Sequence, residues 1–290
     1  KLNKIIINDL DVLSEEYAYD RRTNILFDTN SSKQILQEIK VSSEPMSLVL
    51  SSNGWVKTNK GITESLDNLI FKSGDSYLSH IDIDNDKQVS FLDQKGFIYS
   101  MMVNDIPTGR GYGEPLKKYF NIDDGIHATG MVDTSNNLHS MFISESGYGF
   151  LCKNEELLSS NRNGKSIVKN KTSNIIRPLE VDINDYDYYL LITNNQYLIL
   201  ARLDDLPILT KGKGVKLINI PKSEDNEKII FSGVIRSGQR LEILAENKRT
   251  KYIEFKELQP YIMNRTRRGK KIEQKFIHKK IKLNYNIGKL

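Results

Sequence analysis

YYLLITNNQYLILARLDDLPILTKGKGVKLINIP, residues 188–221, decides the fold. An apolar run, Leu190-Leu191-Ile192, meets a polar turn, Thr193-Asn194-Asn195-Gln196, and then a second run led by an aromatic, Tyr197-Leu198-Ile199-Leu200. Strand, polar turn, aromatic-led strand is a β-hairpin signature. Further on, Asp205 precedes Leu206-Pro207, and a loop follows that no core would take: Thr210-Lys211-Gly212-Lys213-Gly214, with Lys216 just beyond. Glycines let a backbone approach a neighbour closely, and three lysines ask that the neighbour be negative.

The pattern recurs along the chain. An aromatic follows a polar turn five times: SSNG-Trp55, DQKG-Phe97, SESG-Tyr148, TNNQ-Tyr197 and, after a longer turn, KRTK-Tyr252. The acid returns as Asp105 and Glu156, and on a shorter spacing as Glu257. The basic loop returns as Gly109-Arg110-Gly111-Tyr112-Gly113, as Asn161-Arg162-Asn163-Gly164-Lys165, and as Arg267-Arg268-Gly269-Lys270. In the first unit only Lys57-Thr58-Asn59-Lys60-Gly61 offers a counterpart. Five mostly-strand units of about 50 residues predict radial repetition of small sheets, an all-β, five-bladed, propeller-like disc. Rotational equivalence would then bring the basic loops to one rim and form a continuous positive band. That band suits a polyanion with a charge about every 1.7 Å, which is duplex nucleic acid.

The overall balance hides this band. The 290 residues carry a formal charge of only +5, yet the stretch from Met263 to Leu290 holds ten Lys and Arg against the single acid Glu273. Cys152 is the only cysteine, which excludes a disulfide framework within the chain and suits a reducing compartment. With no 18-residue apolar run and no signal-peptide pattern, a soluble, intracellular protein is expected. Leu2, Ile5, Ile6, Val12, Leu13 and Tyr17 fall near helical spacing, so residues 1–24 read as the last turns of a longer helix, from a larger protein. A linker over 25–45 and a β disc over 46–290, ending in a basic tail at 263–290, complete the expected organisation. Ile281, Leu283, Tyr285 and Ile287 alternate with polar residues, so part of that tail reads as a closing strand.

Several strings carry a family resemblance: EPMSLVLSSNGWVKTNKG (44–61), DIPTGRGYGEPL (105–116), ISESGYGFLCKNEELLSSNRNGKS (143–166), ARLDDLPILTKGKGVKLINIP (201–221) and TRRGKK (266–271). SEEYAYDRRTNI (14–25) adds to them. The chain resembles the C-terminal region of the A subunit of bacterial type IIA topoisomerases, topoisomerase IV more closely than gyrase. The resemblance implies a five-bladed β-pinwheel, preceded by the end of a coiled-coil helix, whose basic rim binds and bends DNA. It implies two partners, double-stranded DNA and the topoisomerase IV B subunit, in an A2B2 assembly around a homodimer of A subunits. Mg2+ and ATP would be bound elsewhere in that complex, with no cofactor and no active site in this region. No tyrosine here follows an arginine, as the cleaving tyrosine does in that family. The implied setting is the cytoplasm, on the chromosome, with peripheral membrane association implied by resemblance alone. Gyrase A subunits carry a glutamine-arginine-arginine-glycine-glycine-lysine-glycine box in the first blade. Here the first unit has only residues 57–61, and the nearest look-alike, 266–271, lies in the last. A gyrase-type wrapping domain and a propeller-type protein-binding module remain the alternatives.

The expected DNA contacts are Lys57, Lys60, Arg110, Lys117, Lys118, Arg162, Lys165, Lys211, Lys213, Lys216, Arg265, Arg267, Arg268, Lys270 and Lys271. Other constellations carry less. Asp82-Ile83-Asp84-Asn85-Asp86 with Asp93 brushes an EF-hand loop but has Lys87 where glycine is required, and it reads as an exposed inter-strand loop. His80, His127, His139 and His278 have no zinc-ligand spacing, so no metal is expected. Cys152 reads as packing, and Trp55 and its sister aromatics read as hairpin packing rather than base-stacking platforms.

Overall fold

The computed structural model describes residues 2–17, 43–62, 69–109, 111–169, 173–221, 223, 226–245, 250–273 and 283–287. They belong to two units, Lys1–Ser42 and Ser43–Leu290. In the first unit Leu2–Tyr17 is an α-helix that buries none of its side chains. The rest of the expected helix, to residue 24, lies outside the described residues, as does 25–42 of the expected linker. Pro45 already opens the first strand.

The second unit is five antiparallel sheets in chain order, which makes a five-bladed β-propeller. Each blade is centred on a hairpin: Pro45–Ser51 with Trp55–Lys60, Gln88–Asp93 with Phe97–Met102, His139–Ile143 with Tyr148–Lys153, Tyr188–Thr193 with Tyr197–Arg202, and Leu241–Ala245 with Thr250–Ile253. A third strand flanks the first strand of each hairpin: Tyr77–Asp84, Ala128–Asp133, Leu179–Val181, Ile229–Ile235 and Leu283–Ile287. Ser79, Met131, Leu179, Ser232 and Asn286, one from each third strand, line a central cavity of about 620 Å³. The third strands are therefore innermost. Part of the basic tail does form a strand, Leu283–Ile287, the inner one of the fifth blade. Ile281 lies outside the described residues.

The turns repeat atom for atom in four blades. The amides of Trp55, Phe97, Tyr148 and Tyr197 donate to side-chain oxygens four residues earlier, on Ser51, Asp93, Ser144 and Thr193. The residue before each aromatic takes positive φ: Gly54, Gly96, Gly147 and Gln196. A short polar side chain at the first position and a left-handed residue at the fourth are what this turn needs.

Apolar seams join consecutive blades. Leu190 and Ile192 pack toward the fifth blade, whereas Leu191 between them packs toward the third. Likewise Phe142 faces the second blade, and Met141 and Ile143 face the fourth. Both faces of a middle blade are covered, so its strands read as continuous apolar runs rather than alternating ones. Among the described residues four such clusters join blades one to two, two to three, three to four and four to five, and none joins five to one.

The expected acidic loop is corrected here. Asp82 and Asp84 lie in the strand Tyr77–Asp84, where Ile83 is buried, and only the residues from Asn85 turn. Asn85 and Asp86 cap Glu44 and Ser43.

Candidate nucleic-acid interface

The basic loops do not stay with their own blades. Each runs back to the preceding blade and supplies its fourth strand, two residues long, beside the second strand of the hairpin. Glu114–Pro115 joins blade one, Lys165–Ser166 blade two, Val215–Lys216 blade three and Lys270–Lys271 blade four. Because the third strands are innermost, these donated strands are outermost.

The register is the same each time. The second donated residue sits opposite the leading aromatic: Pro115 on Trp55, Ser166 on Phe97, Lys216 on Tyr148, Lys271 on Tyr197. The next residue is apolar and buried: Leu116, Ile167, Leu217 and Ile272. Its amide donates to the turn carbonyl just before that aromatic, on Gly54, Gly96, Gly147 and Gln196, at 2.8–2.9 Å. Each donated strand is thus locked from the backbone and from the core.

A glycine precedes every donated strand, and its role differs from the one expected. Gly113, Gly164, Gly214 and Gly269 all have φ between +74° and +85°. A Cβ on Gly214 would stand 2.2 Å from the Gly149 carbonyl oxygen, and one on Gly113 equally close to that of Val56. On Gly269 it would meet the Leu198 oxygen at 2.6 Å. These glycines make room for the neighbouring blade rather than for a phosphate. Gly111 and Gly109, by contrast, have nothing within 4 Å of an added Cβ.

The predicted cations distribute unevenly. Lys117 and Lys118 are exposed but ion-paired, to Asp124 and Glu114, each at 2.6 Å. Those contacts hold both carboxyls below their usual range: the hydrogen bond from Lys117 at Asp124, and hydrogen bonds from Lys118 and then Tyr119 at Glu114. Lys60 pairs with Glu44 at 3.3 Å. Exposed Arg162 donates to the backbone carbonyls of Tyr119 and Lys118 at 2.8 and 3.1 Å. Lys165 donates to the carbonyls of Glu156 and Leu158. Lys211 and Lys213 are exposed, Lys216 bonds Asn219 at 2.5 Å, and half-buried Arg265 reaches the Lys216 carbonyl at 3.5 Å. Arg267, Lys270 and Lys271 are exposed. Arg110 lies outside the described residues.

Lys57 corrects the prediction. With Lys60 it belongs to the strand Trp55–Lys60, not to a loop, and it is 5% exposed. Its Nζ donates to the carbonyls of Ile70 and Gly111, and burial pushes its pKa down. With two of its three N–H donors on these carbonyls and the side chain buried, this ammonium does not face a phosphate outside the blade.

One feature had a signal that sequence reasoning passed over. The leading aromatics do pack within hairpins, but four also lie under a cation: Lys72 over Trp55 and Lys213 over Tyr148 at 3.9 Å, Arg268 over Tyr197 and Arg240 over Tyr252 at 4.1 Å. In blades three and four that cation comes from the donated loop, at the position before the glycine. Arg268 also pairs with Glu227 at 3.0 Å, whose side chain is 1% exposed. Cys152 is buried, and burial pushes its thiol up to about 11. Among the described residues no cluster of three or more His, Cys, Asp or Glu could hold a metal, and no helix is long and apolar enough to cross a membrane.

Comparison with known proteins gives a consistent result. The DNA gyrase C-terminal domain, beta-propeller model matches residues 141–174 and 187–235. The A subunit of DNA topoisomerase 4 from Escherichia coli K12 is 32% identical over 224 residues, covering 77% of this chain and 30% of its own length. Its counterpart from Haemophilus influenzae is 29% identical over 272 residues, covering 93% and 36%. The chain spans about a third of the length of these relatives. The solved E. coli ParC C-terminal domain superposes with a TM-score of 0.72 at 30% identity, over 85% of this chain and 99% of that one. A DNA gyrase A C-terminal domain, at 12% identity and TM-score 0.56, shares the fold.

Proposed function

We propose that the chain, which belongs to the family of C-terminal domains of gyrase and topoisomerase IV A subunits, binds duplex DNA along its outer rim, bends it, and presents it to the strand-passage core of a topoisomerase IV for decatenation and relaxation. The core would be an A2B2 complex on the bacterial chromosome in the cytoplasm, with Mg2+ and ATP handled there. The single observation that carries this reading is topological: three outermost strands in succession, Lys165–Ser166, Val215–Lys216 and Lys270–Lys271, bring lysines to one edge.

Contacts of this kind grip phosphates and carry little sequence information, because among the described residues of the disc no helix is shaped to enter a major groove. Bending a site of 20–30 bp costs on the order of 1–6 kcal/mol, so one station is too little and a row of them along a curved edge is needed. The acidic Glu114–Pro115 strand on the first blade argues against tight wrapping of the gyrase kind.

Titration of a random-sequence duplex at several salt concentrations tests the reading. With six phosphates engaged, log K should fall against log salt with a slope of roughly −5. Changing Lys211, Lys213 and Lys216 together to Ala should weaken every duplex alike and flatten that slope by about two to three. Salt-tolerant binding, or an unchanged slope in the triple variant, would return the rim to ordinary solvated surface and favour a protein-binding propeller.

A further inference from the structure

The rim is polarised. Read in blade order, the outermost strands are Glu114–Pro115, Lys165–Ser166, Val215–Lys216 and Lys270–Lys271, so their charge climbs from negative to doubly positive. Partnering follows the same gradient. Around the first blade Lys60, Lys117 and Lys118 are each tied to a carboxylate. Around the fourth, Arg267, Lys270 and Lys271 are exposed and take part in no ion pair among the described residues.

The loop at the fourth blade is also held in advance. Thr266, a β-branched residue, has φ of 71°, a conformation such side chains reach only under constraint. Its amide donates to the Leu217 carbonyl at 3.2 Å, and the Asn219 amide donates to the Arg267 carbonyl at 2.9 Å. Arg268 is clamped between the Tyr197 ring and buried Glu227. Beside this clamp lies a polar groove of about 360 Å³ lined by Asn194, Asn195, Gln196, Tyr197, Arg268 and Lys271. Backbone strain tends to persist where a site must be pre-formed. Fixed cations lose less freedom on meeting a phosphate than mobile ones do.

We propose that the edge of the fourth blade is the primary DNA station, that a backbone phosphate seats in the groove between Arg268 and Lys271, and that the duplex leaves the rim at the first blade, where Glu114 and the paired lysines no longer attract it. This rests on the DNA reading above and adds a direction to it. The bend then grows from blade four toward blade two rather than evenly around the disc.

Two matched triple variants of the 290-residue chain test it, each titrated by fluorescence anisotropy with a random 30-bp duplex. Both are checked for unchanged thermal unfolding, and Arg268 is left in place because of its buried partner. Arg267→Ala, Lys270→Ala, Lys271→Ala should lower affinity by about tenfold or more and flatten the salt slope by about two to three. Lys60→Ala, Lys117→Ala, Lys118→Ala should change affinity less than about threefold and the slope by less than one. Equal losses in the two variants, or a larger loss in the first-blade variant, overturn the polarity while leaving DNA binding intact. Salt-dependent binding by the parent with no loss in either variant overturns the polarity alone, whereas no binding of the duplex by the parent removes the DNA reading, and the polarity with it.

Discussion

Replacing Gly214 by Ala separates the two roles its loop could give a glycine. The backbone there has φ of +75°, and forcing an L side chain into that region costs about 1–2 kcal/mol. The new Cβ would sit 2.2 Å from the Gly149 oxygen and 2.5 Å from its carbon, both backbone atoms of the adjacent blade. Ordinary van der Waals contact is nearer 3.4–4 Å, so the donated strand must retreat by more than an ångström. That displacement breaks the short ladder of Val215 and Lys216 with Gly149 and Tyr148, and stretches the bond from the Leu217 amide to Gly147, now 2.8 Å. Two or three hydrogen bonds at about 0.5–1.5 kcal/mol each bring the total to roughly 3–5 kcal/mol. For a domain of this size that is a fall in Tm on the order of 10 °C.

Gly111→Ala is the control. It lies in an equivalent loop, has no positive φ, and an added Cβ meets nothing within 4 Å, so its effect should stay within about 0.5 kcal/mol. Thermal unfolding followed by circular dichroism reads both variants. If Gly214→Ala melts within about 2 °C of the parent yet loses DNA affinity, the glycine serves phosphate approach and the argument from the blade seam is refuted.

Three further outcomes follow from the same contacts. Cys152, buried and with its thiol raised to about 11, should resist alkylation by iodoacetamide at pH 8 in the folded protein and react fully in urea. Asp93 is 3% exposed, and burial raises its carboxyl pKa against the opposing hydrogen bonds from the amides of Phe97 and Lys95 and the Tyr99 hydroxyl. The folded state therefore keeps this proton to higher pH than the unfolded chain, so the group's cost to stability is absent below about pH 4 and complete once pH exceeds its folded pKa. Asp93→Asn should accordingly gain urea resistance relative to the parent as pH rises from 4 to 7, and a constant difference would contradict the sign. Glu227→Gln removes the charge partner of Arg268 and should cost about 1–3 kcal/mol in urea titration, together with a weaker salt slope; a stability loss without a change in slope would make the pair purely structural.

The hairpins were legible because their cause is local. Asp93-Gln94-Lys95-Gly96-Phe97 and Ser144-Glu145-Ser146-Gly147-Tyr148 each contain the side-chain acceptor, the left-handed residue and the aromatic within five positions. The destination of the loops was not legible, because its cause is not local. Lys213 meets Tyr148 across 65 residues, and nothing near either residue announces the other. Lys57 was misplaced for a related reason. It reads as part of a basic loop by composition, yet it sits in the strand Trp55–Lys60, and the carbonyls that draw it inward belong to Ile70 and Gly111.

A signal for the crossing was nevertheless present: Gly113-Glu-Pro-Leu116, Gly164-Lys-Ser-Ile167, Gly214-Val-Lys-Leu217 and Gly269-Lys-Lys-Ile272. A left-handed glycine, two exchangeable residues and a buried Leu or Ile describe a short strand fixed at both ends and unconstrained between them. The fixed ends belong to the fold and hold the blades together. The two middle positions are where the chain is free to choose charge, and it chooses Glu-Pro, Lys-Ser, Val-Lys and Lys-Lys. Because the architecture tolerates all four pairs, stability does not account for the rise in positive charge from the first blade to the fourth; the negatively charged partner proposed above, lying along that edge, would account for it.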